Sequence, residues 1–330
     1  MKRSRWFLGL AATLMIASHG QAKGPAFTDP NQAGPDYSIQ GEYVGDLETP
    51  DGKVRVGVQV IAAGNGRFRS VGYHGGLPGD GWNGEQPVRS ESVGELQDGK
   101  VSFRSDHGTG TIENGKLSVD LGSDGKVDAT LNRVDRKSPT LGQKPPAGAV
   151  VLFDGKNADA WEKGRIEDGL LVQGTKSKQK FGSHKLHIEF RLPFQPEDSG
   201  QGRGNSGLYL QSRYEVQMLD SFGLEGKQNE CGGIYSVKDP DVNMCFPPLA
   251  WQTYDVEYTA AKYDDSGKLV ASPRVTVLHN GVKIHDNVEL PGNRNTTAAP
   301  LGPGPEPGPI YLQDHGNPVR YRNIWVVETN

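Results

Sequence analysis

Three short segments gather the side chains best able to do chemistry on a polar ligand. In Asn205-Ser-Gly-Leu-Tyr209-Leu-Gln211, Tyr209 and Gln211 alternate with Leu208 and Leu210; in Tyr214-Glu215-Val-Gln217-Met-Leu-Asp220, Glu215 and Gln217 alternate with Val216 and Met218. Ile310-Tyr-Leu-Gln313-Asp-His315 repeats the pattern with Tyr311, Gln313 and His315. Period two sends alternate side chains to opposite faces of a strand. The aliphatic set then serves a core, and the phenols, amides, carboxylate and imidazole share the other face. Such a mixture of donors and acceptors suits a sugar; the competing reading is an ordinary solvated sheet face. Glu215, Asp220 and His315 are the titratable groups that acid–base chemistry would use. Glu215 and Asp220 lie five positions apart, so on one strand they point to opposite faces. They can work together only where the strand ends or bulges near Leu219.

The elements that position these residues are strands. Gly (45) and Pro (22) make up 67 of 330 residues, about 20%, which disfavours long helices without reaching low-complexity disorder. Asp51-Gly52, Asp98-Gly99, Asn114-Gly115, Asp168-Gly169 and Asn280-Gly281 are tight-turn dipeptides between β-rich runs. Val54, Val56, Val58 and Val60 alternate with polar or small residues, as do Leu186, Ile188, Phe190 and Leu192, and Tyr254, Val256 and Tyr258. The chain is expected to be all-β. The run through Pro139, Pro145-Pro146 and Gly148 interrupts the pattern and divides it. The expected organisation is a leader over 1–22, a flexible segment over 23–36, a small β meander or barrel over 37–135, a linker over 136–147 and a β-sandwich over 148–330. The Pro- and Gly-rich stretch from Gly292 to Pro309 is long for a plain connection and is expected to be a rim loop or a disordered flap.

Lys2, Arg3 and Arg5 followed by an apolar run of about a dozen residues and Gly20-Gln21-Ala22 have the build of a secretory signal peptide, too short for a comfortable membrane span. The mature protein is expected to be periplasmic or secreted, with no membrane span. The formal charge of −4 becomes −4 − 3 = −7 once those three cations are removed, and no dense basic run exists, so nucleic acid is excluded as a partner. In an oxidising compartment the pair Cys231 and Cys245 invites a disulfide worth about 3 kcal/mol; two free buried thiols or a catalytic cysteine are the alternatives. His184 and His187 point opposite ways in a strand and cannot readily share a metal. The loop from Tyr73 to Trp82 could present Trp82 for stacking, but it reads first as a structural loop whose glycines permit tight turns. No phosphate loop, dinucleotide fingerprint or Gly-x-Ser-x-Gly elbow is present. No cofactor is expected. A divalent ion such as calcium is left open, although no Asp-x-Asp-x-Asp-Gly ligand loop is visible.

Two resemblances bear on the reaction. Glu215-x-Gln217-x-x-Asp220 is similar to the Glu-x-Asp-x-x-Glu pattern of laminarinase and lichenase glycosidases, with an amide replacing the middle acid and Asp the outer Glu. A broader one covers about 180 residues. Leu152-Phe-Asp-Gly155, Gly204-Asn-Ser-Gly207, Tyr214 to Asp220, Gly233-Ile-Tyr235 and Ile310 to Gly316 leading into Tyr321-Arg322-Asn323-Ile324 follow in the order of the 3-keto-disaccharide hydrolases, which this segment resembles. Trp251-Gln252-Thr-Tyr254 departs from that family's Trp-Asn-x-Tyr by one residue, and the two cysteines stand where other members commonly carry other residues. The resemblance implies a concanavalin A-like jelly-roll sandwich and cleavage of 3-keto-disaccharides or related 3-keto-glycosides. Oxidation at C3 makes the C2 proton acidic, so a base removes it, the C1 aglycone leaves by elimination, and water adds to the enone. On this basis Glu215 or His315 is the expected base and Asp220 the other acid/base partner, with Asn205, Tyr209, Gln211, Gln217, Gln313, Arg322 and Trp251 binding substrate. A non-catalytic carbohydrate-binding module and a laminarinase-like glycosidase are the competing functions on the same sandwich.

Overall fold

The computed structural model describes residues 24–49, 52–84, 90–105 and 108–329, and the leader expected over 1–22 lies outside them. Strands dominate these residues; α1 (Gly34–Ile39) is a single short helix. The first unit is built from β1 (Gly41–Thr49), β2 (Gly52–Ala62), β3 (Arg67–His74), β4 (Ser90–Gln97), β5 (Lys100–Ser105), β6 (Gly108–Glu113), β7 (Lys116–Asp120) and β8 (Ala129–Val134). Each strand pairs antiparallel with the next, and β8 returns to β1 with Arg133 opposite Tyr43, closing an up-and-down barrel. Closure leaves no unpaired edge. Asn114-Gly115 joins β6 to β7 with both residues at positive φ (51° and 72°), the geometry a two-residue hairpin demands. Tyr43, Val60, Phe68, Val101, Phe103, Ile112, Leu117 and Leu131 fill the interior.

The second unit is a two-sheet sandwich of the kind expected. Its strands are β9 (Val150–Phe153), β10 (Trp161–Glu162), β11 (Ile166–Glu167), β12 (Leu170–Val172), β13 (Thr175–Phe181), β14 (His184–Arg191), β15 (Ser206–Leu210), β16 (Tyr214–Met218), β17 (Trp251–Thr259), β18 (Arg274–His279), β19 (Val282–Glu289), β20 (Gly308–Leu312) and β21 (Arg320–Glu328). One sheet runs β11-β12-β21-β14-β17-β18-β19 with β9 beside β21, and the other runs β10-β13-β20-β15-β16. The facing sides of the two sheets supply one core. Leu186, Ile188, Phe190, Tyr254, Val256 and Ile324 come from the larger sheet, and Leu208, Leu210, Val216, Met218, Ile310 and Leu312 from the smaller. Packing two inner faces in this way leaves the outer face of each sheet for other work.

Barrel and sandwich share buried surface. Phe194 and Leu249 of the sandwich belong to the barrel's core, and Phe222 packs on Ile61, Val71, Tyr73 and Leu77 from the barrel's outside. Gly223, at φ 73°, approaches so closely that a Cβ there would lie 2.4 Å from Ile61 Cδ1. Two connecting segments make specific contacts. Phe27 and Phe194 exchange backbone hydrogen bonds (3.0 and 2.9 Å), which joins the segment expected over 23–36 to the sandwich. In the linker, Thr140 Oγ1 donates to Asp255 (2.6 Å), the Gly142 N–H to Glu189 (2.6 Å), and Asn323 and Trp325 donate to the Gln143 carbonyl. A stretch with no strand pattern is held because the large sheet's outer face presents a row of polar side chains to its backbone.

The disulfide is a correction. Cys231 and Cys245 are both free thiols, fully enclosed in the sandwich core. Cys231 Sγ meets the Tyr254 hydroxyl at 3.3 Å, and Cys245 Sγ lies 3.5 Å from the Leu219 carbonyl. Burial pushes the Cys245 thiol well above its usual pKa, so it behaves as a small apolar side chain.

Candidate active site

Register brings three strands of the smaller sheet into a polar row. On β15 and β16, Tyr209 stands opposite Glu215 and Gly207 opposite Gln217; on the other side of β15, Tyr311 of β20 stands opposite Tyr209. The Gln313 N–H donates to the Gly207 carbonyl, which continues the alignment past the end of β20. Since Leu208, Leu210, Val216 and Met218 point into the core, Tyr209, Glu215 and Gln217 point away from it. They are nevertheless buried, because loops cover this face. The Glu215 backbone N–H donates to Thr296 Oγ1 (3.0 Å), and the Thr297 and Ser236 hydroxyls touch at 2.8 Å. The 292–309 stretch is therefore a rim loop laid over the row.

Glu215 is the carboxylate of this row. The Tyr209 hydroxyl donates to Glu215 Oε2 at 2.8 Å, and Gln313 Nε2 donates to the Tyr209 oxygen at 3.1 Å. Burial pushes the Glu215 carboxyl up to about 8, against the Tyr209 hydrogen bond that pulls it down. Tyr209 is itself raised, by burial and then by the adjacent Glu215 charge, so it stays a donor. Among the described residues Glu215 Oε1 accepts no hydrogen bond. It lies over Gly207, where an added Cβ would sit 2.1 Å away. A glycine is required there because the carboxylate occupies the space a side chain would take. We expect Gly207→Ala to displace Glu215 and lower turnover by about 10²-fold, the cost of a misplacement of about 1 Å. Circular dichroism should report an unchanged fold.

An amide cluster continues the row. Gln217 Nε2 and Asn205 Nδ2 both donate to Gln201 Oε1 (3.1 Å each), Asn205 also to the Gln201 carbonyl (2.8 Å), and Gln201 Nε2 to the Asn229 carbonyl (2.8 Å). Asn205 Oδ1 is buried without a partner. An unsatisfied buried acceptor of this kind is rare and suits a ligand hydroxyl.

The structure separates Asp220, Gln211, Arg322 and Trp251 from this row. β16 does end at Met218, as cooperation of Glu215 and Asp220 would require. Yet Asp220 turns to Arg203, whose Nε lies 2.5 Å from Asp220 Oδ2 at the junction with the barrel. Gln211, at φ 51°, has left the strand's alternation. Its amide donates to the Phe181 carbonyl (2.9 Å) and accepts from Tyr258 (3.0 Å), inside the sandwich. Arg322 and Trp251 belong to the larger sheet. The guanidinium stacks 4.0 Å above the Trp251 ring and donates to Glu189 (2.6 Å), so this pair lies on the other sheet from the Glu215 row. His315 is exposed on the turn after β20. Gln201, Thr296, Thr297 and Tyr235, whose phenol sits close enough to act on Tyr209, join the row without having been named from the sequence as site residues. Their loops carry no period to identify them, although Tyr235 stands in one of the blocks that carried the resemblance. Among the described residues no group of three or more His, Cys, Asp or Glu could hold a metal ion, and no helix is long and apolar enough to cross a membrane.

Comparison with known proteins bears on the sandwich as a whole. The model of the 3-keto-alpha-glucoside-1,2-lyase-like domain matches residues 148–327. A crystal structure from Parabacteroides distasonis ATCC 8503, named as a candidate glycosyl hydrolase, is 36% identical with a TM-score of 0.51, covering 56% of this chain and 85% of that one. A second from the same organism, similarly named, is 20% identical with a TM-score of 0.40, covering 56% and 94%. No curated protein matches. Family and first relative together support a glycosidase-type function on carbohydrate. The 148–327 match, more than half of the chain, places it in the family: the chain belongs to the 3-keto-alpha-glucoside-1,2-lyase-like domain family.

Proposed function

We propose that this protein, exported after loss of its leader, cleaves the glycosidic bond of 3-keto-α-glucosides with Glu215 as the base. One observation carries the reading: a buried carboxylate with one oxygen held by Tyr209 and the other free over Gly207, its pKa raised to about 8. A base is most effective when its pKa lies near the working pH. Glu215 takes the C2 proton, and the C–H electron pair becomes the enolate of the C3 ketone. The enolate re-forms the carbonyl as the C1–O bond breaks, leaving an enone and the aglycone. The proton on Glu215 passes to the departing oxygen, and water then adds to the enone to give the free 3-keto sugar. Asn205, Gln217 and Gln313 are the amides at hand for the ketone and hydroxyls, where donors stabilise developing charge.

Direct hydrolysis of an unoxidised glycoside fits less well. Retaining enzymes need two carboxyls about 5–5.5 Å apart, and Asp220 is committed to Arg203. Incubation of the full chain with 3-keto-trehalose and with trehalose tests the proposal. Glucose should be released from the keto form alone. Equal cleavage of trehalose would favour a plain glycosidase, and binding of the keto form without cleavage a carbohydrate-binding module.

A further inference from the structure

The barrel is filled at one end and hollow towards the other. Where α1 leads into β1, Ala33, Tyr43, Val60, Phe68, Phe194 and Leu249 pack into one cluster. Beyond it the interior holds a pocket of about 130 Å³. Register fixes its walls. Gly72 stands opposite Val58, Ser70 opposite Ser92, Ser105 opposite Gly108, and Gly110 opposite both Phe103 and Val119. Residues directly opposite share a face of the sheet. Val58 is also the partner of Tyr43, and Tyr43 and Phe103 are core residues, so this set faces inward.

An eight-stranded barrel is just wide enough for side chains to fill it, or to hold one small ligand. The inward residues decide between the two. From β3 to β6 the wall is made of Ser70, Gly72, Ser92, Ser105, Gly108 and Gly110, none larger than serine. Val58, Phe103, Leu117, Val119 and Leu121 complete it with hydrocarbon. Atoms lining a void lack dispersion partners on one side, and Leu121, at 44% exposure, is an aliphatic side chain left uncovered. The polar contribution is small and uncharged. The Ser70 and Ser92 hydroxyls share one hydrogen bond of 2.7 Å. Each oxygen carries two acceptor positions, so the pair can still accept from a ligand hydroxyl. A sugar would turn most of its hydroxyls towards aliphatic wall, at a desolvation cost. A single aromatic ring fits better: an apolar cavity of about 150 Å³ takes up benzene.

We propose that the barrel is a binding cup for a small phenol, with the ring between the glycine–serine wall and the aliphatic wall and the hydroxyl on the Ser70–Ser92 pair. The inference is independent of the chemistry at Glu215. Titrating the protein with phenol and following its methyl groups by nuclear magnetic resonance tests it. The methyls of Val58, Leu117 and Val119 should shift saturably, while those of Leu208 and Val216 in the sandwich stay in place. Ser92→Leu and Gly110→Val fill the hollow from different strands. Each should weaken phenol binding about tenfold or more, the usual size of an overpacking penalty. Val93→Leu, beside Ser92 but on the outer face at 76% exposure, should change it less than about twofold. No saturable shift at the barrel methyls overturns the proposal. So does native affinity in a folded filling variant, or an equal response of the same methyls to glucose. If one filling variant fails to fold, the other and the native titration decide.

Discussion

Glu215→Gln should lower kcat on a 3-keto-α-glucoside by about 10²–10⁴-fold, the usual contribution of a positioned base, while leaving the protein folded. The amide keeps the size of the protonated carboxyl and can still accept from Tyr209, so only proton transfer is lost. The pH behaviour of the two proteins should differ in a defined sense. An unfolded glutamate ionises near pH 4.3, whereas burial pushes Glu215 up to about 8 in the folded chain. Between these values the unfolded state has lost a proton that the folded state still holds, so native stability is full below about 4.3 and declines as pH rises towards about 8. Each unit of difference is worth about 1.4 kcal/mol. Denaturation midpoints measured from pH 5 to 8 should fall for the native chain relative to E215Q, and kcat/KM should climb through the same interval to a plateau above about 8. A rate already at its plateau at pH 6 would show that burial does not raise the Glu215 carboxyl in this way.

Asp220→Ala should act on the fold instead. The Asp220–Arg203 pair is buried, and removing the carboxylate strands a guanidinium that also holds the barrel through the Ala62 carbonyl. Breaking a buried pair in this way costs about 3–5 kcal/mol. Chemical denaturation should show that loss, and turnover measured well below the lowered midpoint should stay within a fewfold of native. Activity abolished with stability intact would return Asp220 to the acid–base role that its place in the sequence suggested.

The contrast between Glu215 and Asp220 shows what the sequence makes legible. Alternation places Tyr209, Glu215 and Gln217 on one face because all three lie inside β15 and β16, where the pleat fixes side-chain direction. Asp220 and Gln211 stand just beyond the strand ends. There the backbone is free to turn, as the φ of 51° at Gln211 does, and alternation stops carrying information. Arg322 and Trp251 do sit beside each other, across the sandwich from Glu215, since family blocks order residues along the chain without saying which sheet each strand joins. The tight turns and the barrel were legible in the same local way: Asn114-Gly115 has the conformation its composition demands. The contacts made by 24–39 and 136–147 were not, because they depend on polar groups of distant strands. The free thiols were hidden for a similar reason: two cysteines give a count, and only the packing around Cys231 and Cys245 decides what they do.

Methyl 3-keto-α-glucoside carrying deuterium at C2 offers the most direct measurement. With the full chain in light water, nuclear magnetic resonance should show the C2 deuterium disappearing in step with the release of methanol, and E215Q should slow both together. Methanol released while the deuterium stays at C2 would contradict proton abstraction by Glu215 as the step that breaks the bond.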